Sequence, residues 1–262
     1  MKITKTEPTF YTGVLEKKIP RGRINHTILA ELSCLIKAFF CNLNDSKKIE
    51  KFESDFAEYN ERKFCVAFPY ARTALYFALK ARGLKPGDEI IMPPITIKAM
   101  LDVILSLDLR PVFVDIDADT LCFNEKELAL AVSDKTKAVL VTYLFGMVPN
   151  IKNLISLLDK SKIYIIEDFS QCLNGKYENR LVGSFGDLGI YSASSTKQLD
   201  LFGGGLVVCN DRKLAGALKK FQSGLFQPSR WALIKKIMLN LVRNAATSPL
   251  IFDFFTFPAI RF

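Results

Sequence analysis

Histidine is almost missing from this chain: His26 is the only one in 262 residues. None of the six cysteines, Cys34, Cys41, Cys65, Cys122, Cys172 and Cys209, stands in a Cys-x-x-Cys spacing. Zinc sites built on paired Cys and His ligands are therefore excluded. Asp115 and Asp117 resemble the start of a metal pair, but no third ligand is near, and they read as turn and cap residues. No run reaches the roughly eighteen apolar residues of a membrane span, and the polar first residues lack the apolar core of a secretory signal. Several cysteines fall within apolar runs, where a buried reduced thiol is the ordinary state, so the expected compartment is the reducing cytoplasm. The 36 basic residues outnumber the 27 acidic ones for a net charge of +9, but they are scattered rather than clustered with stacking aromatics. That argues against nucleic-acid binding and suits small anionic ligands without identifying one.

What is present is ample apolar material, 49% of the chain, for one large domain or two small ones. The chain is organised around residues 163–209. An apolar run, 163–166, ends on Glu167 and Asp168. A second, 188–191, opens into a Ser/Thr-rich turn that delivers Lys197, and Gly203, Gly204 and Gly205 lead into a third, 206–209. Short apolar runs bounded by turn residues predict buried strands, so an acid and an amine each stand just past a strand end, on the rim where open α/β sheets bind ligands. Such a pair suits pyridoxal 5′-phosphate: a lysine amine forms a Schiff base with the aldehyde, and a carboxylate keeps the pyridine nitrogen protonated. Strand-end aspartates and turn lysines are common, however, and the pair alone also fits two residues with no shared task.

The rest of the chain predicts an irregular arm over 1–25, with His26 an ordinary polar residue near a helix start. A helix over 27–41 carries the apolar stripe Ile28, Leu29, Leu32, Leu35, Ile36 and Phe39, expected to pack. A helix over 47–59 follows, capped by Asp45 or Ser46, with Ile49, Phe52 and Phe56 on its apolar face. Strands at 64–68, 90–93, 111–117 and 137–143 alternate with a helix entered by residues 69–75 and ending near Gly83, a helix to about Leu107, and helices over 125–132 and 151–159. Strand–helix alternation predicts a mainly parallel sheet covered on both faces. The turn over 69–73 enters a helix whose N-terminus offers free N–H groups, a seat for phosphate or an ordinary helix cap.

Several motifs in one order, Glu167-Asp168 with Gln171, Gly183-Ser184-x-Gly186-Asp187, Ser192 five residues before Lys197, and the glycine run, resemble the DegT/DnrJ/EryC1/StrS family of sugar aminotransferases over roughly 45–215. The resemblance implies a three-layer αβα fold like the large domain of fold type I pyridoxal phosphate enzymes. It implies Lys197 as Schiff-base lysine and acid/base, Asp168 at the ring nitrogen, and Gln171 at the 3-oxygen side. Ala71, Arg72 and Thr73 match the family's Ser-Gly-Thr or Gly-Arg-Thr segment, so the amides of Arg72 and Thr73, with the Ser192 hydroxyl, would grip the phosphate. Ile97 takes the place of an aromatic that stacks on the ring, and Tyr143 that of a histidine. The Gly-x-Asn-x-Arg segment by which the family reaches a neighbouring subunit's phosphate is absent.

Three segments are expected: an arm and helix over 1–44, a cofactor-binding domain over 45–225, and a C-terminal region over 226–262. In the last, a basic helix from Trp231 to about Ala246 has Trp231, Ile234, Ile237, Met238, Leu241 and Ala245 on its apolar side. It is expected to pack on the chain's own core, with a membrane surface the alternative. Five phenylalanines, Phe252, Phe254, Phe255, Phe257 and Phe262, crowd the end, where relatives continue into a small domain. A truncated product or a fragment is expected, with a partner or membrane contact as the alternative. The function expected is amino transfer to a nucleotide-linked keto-sugar, from glutamate by resemblance, in a homodimer. The alternative is an impaired relative with a binding or assembly role. A dehydratase is a third reading, but such relatives have His in place of the lysine, and Lys197 argues against it.

Overall fold

The computed structural model describes residues 20, 24, 26–43, 45–158, 163–195, 197–225 and 229–261. The arm expected over 1–25 lies largely outside them, as do Asp159, Thr196, Gln227, Pro228 and Phe262. Helices α1 (Ile28–Phe40) and α2 (Ser46–Tyr59) come first. Strand and helix then alternate through β1 (Phe64–Phe68), α3 (Ala71–Ala81), β2 (Glu89–Met92), α4 (Lys98–Ser106), β3 (Arg110–Phe113), α5 (Glu125–Ala131), β4 (Thr136–Thr142), α6 (Ile151–Leu157) and β5 (Tyr164–Asp168). A small hairpin, β6 (Lys176–Tyr177) and β7 (Arg180–Leu181), precedes β8 (Leu188–Ser192) and β9 (Gly205–Cys209). Helices α7 (Arg212–Ser223) and α8 (Arg230–Ala246) follow, then α9 (Pro249–Ile251), a π-helical stretch Phe252–Thr256 and α10 (Phe257–Arg261).

The main sheet has the order β1-β9-β8-β5-β4-β2-β3. β3, β2, β4, β5 and β8 run parallel, and β9 is antiparallel to both β8 and β1. Alternation along each strand divides the core in two. Ala138 and Leu140 of β4 face Leu75, Leu79, Ile104 and Leu218 of α3, α4 and α7. Val139 and Val141 face Phe56, Leu128, Ile151 and Leu154 of α2, α5 and α6. The result is a three-layer αβα fold with a mainly parallel sheet, each buried Leu or Ile contributing about 2 kcal/mol of apolar burial.

Helix α1 leaves most of its apolar stripe exposed, whereas α8 buries the middle of its expected apolar side. In α1 the stripe points outward, with Leu29 80% exposed and Ile28 and Ile36 exposed, while Glu31 and Ala38 are buried. α1 packs on α8 through Ala38, Ile234 and Ile237, with Cys34 and Leu35 against them, and polar clasps add to this contact. Arg230 donates to the carbonyls of Ala38, Phe39 and Cys41 at 2.5, 2.7 and 2.9 Å, satisfying the open end of α1. Asn244 donates to the His26 carbonyl at 2.8 Å and to Glu31 at 3.3 Å. In α8 the expected core residues Ile234 and Ile237 are buried and Leu241 and Ala245 partly so, Trp231 and Met238 are exposed, and Asn240 is buried as well. Asn240 lies inward because it has partners there, described next.

Candidate functional site

β5 ends in Glu167 and Asp168, and neighbouring strand residues face opposite sides of a sheet. Glu167 is fully buried. Its carboxylate accepts from the Tyr143 hydroxyl at 2.5 Å and from the N–H groups of Gly183, Phe185 and Gly186 at 2.8, 2.7 and 2.6 Å. The buried Arg62 guanidinium lies 3.7 Å away and donates to the carbonyls of Gly183 and Gly186. Burial, then the Glu167 charge, pushes the Tyr143 phenol well above its ordinary value, so the phenol keeps its proton and remains the donor. Glu167 therefore builds the loop that carries Gly183 to Asp187, and Tyr143 serves that same network.

Asp168 is buried on the other face. Its Oδ1 accepts from the Ser170 N–H at 3.0 Å. Burial raises its pKa, against the hydrogen bond from Ser170 and the positive charge of Lys197. Opposite it in register stands Thr142, whose hydroxyl is buried without a hydrogen-bond partner. The Ser170 hydroxyl accepts from the Ser192 N–H at 2.9 Å, which ties the end of β5 to the end of β8. The Ser192 hydroxyl meets that of Ser194 at 3.2 Å.

Lys197 stands in the loop between β8 and β9, half-buried, with its N–H on the Ser194 carbonyl. Among the described residues its ammonium has no hydrogen-bond or ion-pair partner. The loop around it is held at many points. The Tyr191 hydroxyl accepts from the Leu199 N–H at 2.8 Å, and Gln198 accepts from the Leu173 N–H at 2.9 Å. Asn240 of α8 accepts from the Ser195 hydroxyl at 2.8 Å and donates to Asp200 at 3.2 Å. His26 Nε2 lies 2.8 Å from the Asp200 carbonyl, giving the lone histidine a bracing position.

The N-terminus of α3 completes the rim. Tyr70 is its N-cap in extended conformation, and no side chain caps the helix, so the first N–H groups, Ala71 to Thr73, are open to a ligand. Gly205, paired with Ser192, lies against this turn: a Cβ there would come within 2.3 Å of the Ala71 nitrogen. One continuous path thus runs from Asp168 through Ser170, Ser192 and Gly205 to the start of α3. Gln171 is exposed and its side-chain Oε1 accepts from the Phe145 N–H at 3.1 Å. Ile97, 57% exposed, precedes α4 as its N-cap. Among the described residues neither is hydrogen-bonded to Asp168 or Lys197. Sequence reasoning missed Arg62, Thr142 and Asn240. Their isolated identities carry no signal, and only register and packing give them tasks.

The model of the DegT/DnrJ/EryC1/StrS aminotransferase family matches residues 26–235. The spore coat polysaccharide biosynthesis protein SpsC of Bacillus subtilis is 32% identical over 177 residues, 68% of this chain and 46% of that protein. A GDP-perosamine synthase of Escherichia coli O157:H7 is 32% identical over 166 residues, 63% of this chain and 46% of that enzyme. The crystal structure of DesI in the presence of its TDP-sugar product superposes with a TM-score of 0.70 at 26% identity, covering 87% of this chain and 61% of DesI. The chain spans about half the length of the curated relatives it matches. With the strand-end acid, the loop lysine and the open helix start on one rim of this αβα sheet, and with the family model covering most of its length, the chain belongs to the DegT/DnrJ/EryC1/StrS aminotransferase family.

Proposed function

We propose that this chain provides the cofactor-binding part of a pyridoxal 5′-phosphate-dependent aminotransferase that transfers an amino group to a nucleotide-linked keto-sugar. The observation that carries the reading is the buried Asp168 carboxylate at the end of β5 beside the unpartnered Thr142 hydroxyl, on the rim whose next loop carries Lys197. A desolvated carboxylate and an orphaned hydroxyl side by side fit a polar, cationic ligand edge, which would offset the cost of burying both. When bound, the cofactor supplies an electrophilic aldehyde and an electron-withdrawing ring.

The residues divide the remaining tasks. Lys197 Nζ is the nucleophile and then carries the proton between neighbouring carbons. Asp168 holds a ring N–H and keeps it charged. The amides of Arg72 and Thr73 and the Ser192 hydroxyl bind phosphate, with Ala71 leaving the helix start uncrowded. Gln171 still has its amide N–H groups for the oxygen side of the ring, and Ile97 offers an apolar contact to its face. Tyr143, which replaces the family's histidine, donates to Glu167 and so acts on the scaffold.

The sugar class is supported by relatives whose names specify GDP-perosamine and a TDP-sugar; glutamate as donor rests on the family resemblance. The same reading includes a cytoplasmic homodimer. The exposed apolar side chains of Leu29, Ile36 and Phe40 in α1 and Trp231 in α8 support a subunit contact. Among the described residues no helix is long and apolar enough to cross a membrane. The test is borohydride reduction of protein mixed with pyridoxal phosphate, followed by peptide mass spectrometry. A pyridoxyl mass on Lys197, absent from Lys197→Ala, is expected. A wild type that stays colourless and unlabelled would leave only a binding or assembly role.

A further inference from the structure

Two cations converge on one ring at the start of α3. The Arg72 guanidinium carbon lies 4.1 Å from the centre of the Tyr70 ring, and the Lys236 ammonium lies 5.1 Å from it. Lys236 is delivered by α8, and its Nζ is 3.3 Å from the position a Cβ on Gly203 would take, beside the glycine run that enters β9. Among the described residues neither cation is ion-paired with a carboxylate. The ring attracts both charges but neutralises neither. Two like charges at the positive end of an uncapped helix repel until an anion joins them.

We infer that the side chains of Lys236 and Arg72 complete, from within one chain, the seat for the cofactor's phosphate, an assignment that rests on the cofactor reading above. A phosphate monoester carries close to two negative charges near neutral pH. The open amides of α3 supply dipoles but no net charge. A lysine on a flexible stem meets phosphate as a point charge, and an arginine can meet two of its oxygens at once. The chain has no Gly-x-Asn-x-Arg segment, and α8 brings positive charge to the same seat by another route.

The test compares pyridoxal phosphate with pyridoxal, which lacks the phosphate, by titrating each against wild type, Lys236→Met, Lys236→Arg and Arg72→Met. The visible absorbance of the lysine adduct gives the affinity. Wild type is expected to prefer the phosphorylated compound. Lys236→Met and Arg72→Met should each reduce that preference about tenfold, the effect of losing one charged hydrogen bond, with affinity for pyridoxal unchanged. Lys236→Arg should keep it within about twofold. A preference untouched in both methionine variants overturns the assignment while leaving the cofactor reading intact. If wild type takes neither compound, the cofactor reading itself fails. Calorimetry with inorganic phosphate then decides the seat, and absence of binding overturns it too.

Discussion

Adjacent carboxylates on β5 have opposite environments, and this decides how each responds to substitution. Asp168 is desolvated with one N–H donor, Ser170, and a distant counter-charge. Asp168→Asn removes a buried charge while keeping an oxygen for Ser170, so the cofactor-free protein should melt about 2 °C higher at pH 7. The sign with pH follows from the raised pKa: the wild-type penalty appears as pH climbs past the ordinary aspartate value and is complete above the folded-state value. The difference in Tm should therefore vanish below about pH 4. The same variant should lose the visible lysine adduct. Glu167 is the reverse case, fully paired. Arg62→Met leaves it without its counter-charge and should cost about 3 kcal/mol. Tyr143→Phe removes one charge-assisted hydrogen bond and should cost about 2 kcal/mol, read by urea denaturation. The adduct on Lys197 should still form in Tyr143→Phe, because that hydroxyl serves the loop from Gly183 to Asp187.

At the scale of elements, the contact between β9 and the start of α3 is the tightest point of the rim. Gly205→Ala would press a methyl into the Tyr70–Ala71 peptide at 2.3 Å. Overpacking against backbone should cost about 3 kcal/mol and weaken cofactor affinity together, measured by thermal melting and titration. The strands and helices of the sheet were legible because buried strands read as short apolar runs between turn residues, and so were the places of Asp168 at the end of β5 and Lys197 in the loop after β8. The hairpin of β6 and β7 was not, since two-residue strands carry no period. The buried face of α1 was misjudged for a different reason. A stripe of Ile28, Leu29 and Ile36 announces an apolar face but not what it meets. Here Glu31 turns inward to Asn244 and His26, and the stripe is left on the surface. Thr142 acquires meaning only through its register with Asp168, which no local pattern reveals.

Across the whole molecule, exposed large apolar side chains recur in α1, α8 and the stretch after α9. Leu29, Phe40, Trp231, Phe254 and Phe255 are all exposed, more than a solitary soluble surface ordinarily shows. Replacing Leu29 and Phe40 together with Asp should change stability by less than about 0.5 kcal/mol yet reduce self-association, followed by sedimentation velocity over a range of concentrations. An unaltered sedimentation profile would count against these helices as a self-association surface. The bracing of the lysine loop has a consequence for how the protein breathes. Ser195 and Asp200 are fastened to α8 through Asn240, and α8 is fastened to α1 through Arg230 and Asn244. Chain segments far apart in sequence therefore form one cooperative unit, and amide deuterium uptake in the Lys197 loop should rise and fall in step with that of both helices.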